Sequence, residues 1–144
     1  MKKIILLCFI FIAAVSFTGI AEPEKDILGN WRLDDGSVKS FITYQIEMTR
    51  VKSPEQAAQM EENPEALMQI IPNLVWTYKA DNKLELQSPQ GTQEATWKLS
   101  DDKKTHIVVR PDGTERKDII LELNKDRFKV LMGERKDTIL FVRP

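Results

Sequence analysis

The sequence predicts an all-β fold, an antiparallel up-and-down β-barrel of about eight or nine strands with a short helical insert at about residues 53–71. Two observations point there. Turn-forming clusters recur through the chain: Asp34-Asp35-Gly36-Ser37, Asp81-Asn82, Pro89-Gln90-Gly91, Ser100-Asp101-Asp102, Pro111-Asp112-Gly113, Asn124-Lys125-Asp126 and Gly133-Glu134. From residue 81 they fall about every ten residues, the beat of consecutive hairpins. Between them, apolar residues alternate with period two, which puts them all on one side of a strand. A meander of that many strands, apolar on one face, resolves its two exposed edges by closing on itself. A two-sheet sandwich is the alternative.

The elements follow in order. Residues 27–33 read as the opening strand. Ile42, Tyr44, Ile46 and Met48 share one face of a second run, opposite Thr43, Gln45, Glu47 and Thr49. Ser53-Pro54-Glu55-Gln56 then reads as an N-cap, a first-turn proline and a capping-box glutamine, and Asn63-Pro64-Glu65 repeats the signal, so two short helices are expected. Ala66, Leu67, Ile70 and Ile71 form a stripe at helical spacing that packs on the barrel or covers an open end, with Met60 and Met68 as adaptable contacts. Alternation resumes with Leu74, Trp76, Tyr78 and Ala80, then Leu84 with Leu86, then Ala95, Trp97 and Leu99. The same pattern groups Ile107 with Val109, then Ile119, Leu121 and Leu123, then Phe128, Val130 and Met132. Residues 138–142 are apolar on both faces, which leaves their register open.

Residues 1–21 have the layout of a secretory signal peptide. Lys2 and Lys3 precede an unbroken apolar run over residues 4–15, and Gly19 and Ala21 occupy the small-residue positions of a cleavage site. The expectation is an exported chain, periplasmic or secreted, cut after about Ala21 and forming a single domain over residues 22–144. Cys8, the one cysteine, lies inside the apolar run and too early to anchor a lipid. Cleavage leaves no thiol for catalysis or metal binding and no membrane anchor. Setting Lys2 and Lys3 aside leaves 19 basic against 22 acidic residues, evenly mixed. That balance argues against nucleic acid and anionic membranes, which want clustered positive charge.

Little points to catalysis. The one histidine, His106, falls opposite Ile107 and Val109 and is therefore expected to face outward. No clustered metal ligands and no phosphate-loop or nucleophile-elbow pattern occur, so neither enzyme activity nor a cofactor is expected. The inward set is more informative. Tyr44, Met48, Trp76, Tyr78, Trp97 and Met132 project to one side and either fill the interior or line a partly open cavity for an apolar or aromatic ligand.

Gly29-Asn30-Trp31, directly after Ile27-Leu28, resembles the G-x-W start of lipocalins and lipocalin-like (calycin-type) domains. The helical insert, the hairpins after it and the ending Phe141-Val142-Arg143-Pro144 are similar to small exported bacterial members, over residues 27–144. The T-D-Y element of the family is absent, and the insert is longer than usual. The resemblance implies that Trp31 packs across one barrel end against a late arginine, Arg143 first and Arg135 second, with Gly29 opening the strand. It also implies one of two roles: a carrier of a small hydrophobic molecule, or a filled-barrel interaction module that binds a protein.

Overall fold

A computed structural model describes residues 22–133 and 137–144. Residues 1–21, with Cys8 and the expected cleavage site, and Arg135 lie outside the described residues. The chain begins with a one-turn helix α1 (Pro23–Asp26) and strand β1 (Gly29–Leu33). Three helices follow, α2 (Val38–Lys52), α3 (Pro54–Glu62) and α4 (Pro64–Ile70). Seven strands complete the fold: β2 (Val75–Tyr78), β3 (Lys83–Ser88), β4 (Gly91–Leu99), β5 (Thr105–Val109), β6 (Glu115–Leu123), β7 (Arg127–Met132) and β8 (Asp137–Val142). Each strand pairs antiparallel with the next, and β8 returns to β1 through Arg32 opposite Val142 and Leu33 opposite Phe141. The barrel is closed, with eight strands.

The ninth strand expected from the sequence is helix α2. Residues 42–48 alternate apolar and polar, but Val38, Phe41 and Ile42 also fall at helical spacing, and they are the residues α2 buries together with Tyr44. Fifteen residues run between Ser37 and Ser53 without a turn signal, far beyond the roughly five or six of an ordinary strand. The entry to α2 is tied by side chains. Asp34 accepts from the Gly36 amide at 3.0 Å, and the Ser37 hydroxyl accepts from the Leu140 amide on β8 at 2.9 Å. Arg50 and Lys52 sit in the last turn, where cations suit the helix dipole. The helical region therefore spans residues 38–70, longer than the insert expected at 53–71. The starts at Pro54 and Pro64 stand as expected, each with proline in the first turn.

One barrel end is sealed. The Trp31 ring is fully buried, and the Arg143 guanidinium lies 3.7 Å from the ring centroid. That guanidinium donates to three backbone carbonyls, Asp26 at 2.8 Å, Asn30 at 3.1 Å and Lys125 at 2.8 Å. The Trp31 indole N–H donates to the Ile27 carbonyl at 2.6 Å. Gly29 is required here twice over: its φ is +102°, and a Cβ would lie 3.1 Å from Arg143 Nη1. Helices α2–α4 lie at the opposite end.

Trp31→Ala is expected to cost about 3–5 kcal/mol, as for other large buried aromatics. Urea denaturation of the variant checks it, and a loss below roughly 1 kcal/mol would show that Trp31 is not the plug.

Candidate ligand-binding cavity

Cross-strand pairing decides what faces inward, because residues directly opposite each other share a face of the sheet. Trp97 is buried and sits opposite Val108, and Val108 sits opposite Arg116. Val108 and His106 therefore point inward on β5, and Arg116, Asp118 and Ile120 point inward on β6. This corrects the expected phase on both strands. His106 is buried rather than exposed, Ile107 and Val109 take the outer face instead of the inner one, and Ile119 and Leu121 stand outside, each 51% exposed. The run Ile119-Ile120-Leu121 is apolar on both faces, so alternation alone cannot fix its phase. A bulge between Ile120 and Glu122 then shifts the register, which brings Leu123 back opposite Phe128 and against the core as expected.

The interior has two storeys. The lower one, next to the Trp31 plug, is filled by aromatic rings around Phe128. Its ring centroid lies 5.8 Å from that of Trp31, 5.6 Å from Phe141, 5.3 Å from His106 and 6.1 Å from Tyr78. Trp97 closes the layer edge-on against Tyr78 at 5.5 Å and donates its indole N–H to the Lys79 carbonyl at 3.1 Å. Met132 is fully buried. Four residues of the expected ligand set, Tyr78, Trp97, Met132 and the helical Tyr44, are thus packed in the core. Tyr44 lies beside Phe41 at 6.1 Å, and Met48 packs against the core from the same helix.

The upper storey is open. A cavity of about 1220 Å³ lies between the helices and the inner faces of β2–β6. Trp76, Leu84, Ala95 and Val108 form its strand wall, and Phe41, Leu67 and Ile70 its helical wall. Trp76 is the one residue of the expected ligand set that lines it; the stripe expected on α4 contributes Ala66, Leu67, Ile70 and Ile71. Gln45, Gln56, Gln59, Asn63, Gln90 and Gln93 supply amides, and three charged residues contribute, Glu94, Arg110 and Arg116.

A charged group is buried beneath this cavity. Asp118 Oδ2 accepts from Arg116 Nε at 2.9 Å and contacts His106 Nδ1 at 3.4 Å, while Oδ1 accepts from the Gly133 amide at 3.1 Å. Burial would raise the Asp118 pKa, but the His106 hydrogen bond and the Arg116 charge outweigh it and hold the carboxyl below its ordinary range. For His106 burial dominates and lowers the pKa despite Asp118, so the ring is neutral. The neutral ring donates from Nδ1 to Asp118, which leaves Nε2 buried with no hydrogen-bond partner among the described residues. Among those residues no group of three or more His, Cys, Asp or Glu is arranged to hold a metal ion.

Sequence reading missed Arg116 and Asp118, and for one reason. A charged residue two positions from another in an alternating strand looks like solvent face, and only the Trp97–Val108–Arg116 register turns it inward.

The sign of the pH dependence follows. A histidine whose pKa is lower in the folded state binds its proton more readily when unfolded. Stability is full above the unfolded value, near 6.5, and falls as pH drops from there toward the folded value. The urea midpoint should therefore decline between pH 7.5 and 5.5. Because His106 is the one histidine, His106→Gln should flatten that decline; an unchanged slope in the variant would contradict it.

No protein-family model, curated protein or solved structure matches this chain.

Proposed function

We propose that this protein is a lipocalin-like binding protein that holds a small hydrophobic or aromatic molecule in the open half of its barrel and performs no catalysis. The observation that carries the reading is the cavity of about 1220 Å³ under α3 and α4. It is large enough for a small ligand, its apolar wall carries the aromatic rings of Phe41 and Trp76, and the polar side chains interspersed with them are of the kind that fix orientation. The G-x-W start and the Trp31–Arg143 stopper support the lipocalin-like assignment. Export is part of the proposal and is supported by the layout of residues 1–21.

The filled lower storey and the exposed pair Ile119 and Leu121 favour a second reading, an interaction module whose outer surface binds a protein. One titration separates the two. The neutral probe N-phenyl-1-naphthylamine should quench tryptophan emission saturably at one probe per chain, because Trp76 lines the cavity. Ala95→Phe, which fills the cavity from the strand side, should weaken that binding several-fold without unfolding the barrel. Unchanged emission across the titration would overturn the carrier reading in favour of the module. For export, N-terminal sequencing of protein recovered from its source should begin at about Glu22; a chain that keeps Met1 would contradict it.

A further inference from the structure

We propose that the edge of β4 at Thr92 and Glu94 is a docking site for an extended peptide segment of another protein, which adds to the barrel as a short antiparallel strand. The inference goes beyond the carrier reading, since it concerns the main chain at the rim of the cavity rather than the contents.

A closed barrel has an edge only where neighbouring strands differ in length. β4 pairs with β3 from Gly91 to Thr96, but with β5 only from Thr96 onward. The Trp97 amide donates to the Asn82 carbonyl at 2.8 Å, so odd-numbered residues of β4 turn their main chain towards β3 and even-numbered ones towards β5. Lys98 and Thr96 find partners there in Ile107 and Val109. In the same register Glu94 would meet Pro111, which has no N–H to give, and Thr92 would meet Gly113. β5 has ended by then, at Val109. The chain turns instead, with the Gly113 amide donating to the Arg110 carbonyl at 2.9 Å and Asp112 lying 3.7 Å from Lys52 at the end of α2. The N–H and C=O groups of Thr92 and Glu94 are therefore left without a main-chain partner among the described residues.

The surroundings of this edge fit a peptide strand. Gln93, Glu94, Arg110 and Pro111 all line the cavity, so the gap between β4 and the turn opens onto it. On the helical side of the same cavity α3 contributes Gln56, Gln59 and Asn63, exposed amides that both donate and accept and so match a peptide main chain. Residues of an added strand that lie opposite Glu94 share its outward face, which sends the alternate side chains inward to the apolar wall of Trp76, Leu84 and Val108. Main-chain pairing with a pocket for every second side chain is the pattern of strand addition. Nothing blunts the edge: Thr92-Gln93-Glu94-Ala95 carries a single charge, no proline and no bulge.

The test uses an acetylated and amidated octapeptide of alternating threonine and leucine, titrated into the isotopically labelled protein, with amide exchange read by nuclear magnetic resonance. At saturation the Thr92 and Glu94 amides should exchange roughly tenfold more slowly, the worth of a hydrogen bond. The Gln93 amide, which already faces β3, should not change. Methylating the peptide nitrogens of the threonines, whose main chain faces β4, should abolish binding; methylating those of the leucines should weaken it far less. Glu94→Pro, which removes an edge donor and no β3–β4 hydrogen bond, should weaken binding several-fold, and Glu94→Gln should not. The methylated peptides keep the test decisive where the proline variant fails to fold. Unslowed exchange at Thr92 and Glu94 would overturn the docking edge. So would slowing that appears without peptide as protein concentration rises, which marks pairing between copies. N-phenyl-1-naphthylamine, titrated separately, decides the carrier reading, so either can fail alone.

Discussion

One guanidinium holds the barrel shut. Arg143 follows the last strand, and its three hydrogen bonds reach α1, β1 and the turn between β6 and β7. The same group lies over Trp31, 3.7 Å from the ring centroid of the fully buried indole of the first strand. Three stretches far apart in sequence, residues 26–31, the turn at Lys125 and the chain after β8, are thereby fixed around one cation, whose charge is met by carbonyl dipoles while the ring lies against it. Without a disulfide among the described residues, packing and hydrogen bonding of this kind must supply the closure. Gly29 serves it directly, since any side chain there would press on the arginine.

Closure has a consequence for the interior. In a closed ladder every strand's inward residues are set by those of its neighbour, so the large Trp97 dictates that Val108, and then Arg116, face in. Burying Asp118 follows from the same parity, and a buried carboxylate is tolerated only when it is paired and hydrogen-bonded. Arg116, His106 and the Gly133 amide meet that demand. The aromatic layer below them fills half of the barrel, and the space above is left for α3 and α4 to roof. Sealed floor, charged middle and open upper half are successive results of one pairing register.

Much of this was legible in the sequence. The turn clusters located the hairpins from residue 81 onward, and Gly29-Asn30-Trp31 with Arg143 located the sealed end. Prolines 54 and 64 marked two helix starts. What failed did so where a local pattern supports two answers. Residues 38–52 satisfy both a period of two and a period near 3.6, and the long interval without a turn was the signal that distinguishes them. On β6 the apolar run Ile119-Ile120-Leu121 offers a hydrophobic set to either face, and a tertiary partner, Trp97 acting through β5, chose between them. Arg116 and Asp118 were invisible for that reason. The expected ligand set was read from inwardness alone, which does not say at what depth a side chain lies; depth separates Trp76, at the cavity, from Tyr78 and Trp97, in the packed layer.

The closure itself is open to direct observation by nuclear magnetic resonance. Interstrand Overhauser contacts should join Arg32 to Val142 and Leu33 to Phe141, and the Arg143 side-chain protons should be shifted upfield by the Trp31 ring current. Absence of those contacts, with Arg143 at the shifts of a solvated arginine, would contradict the account.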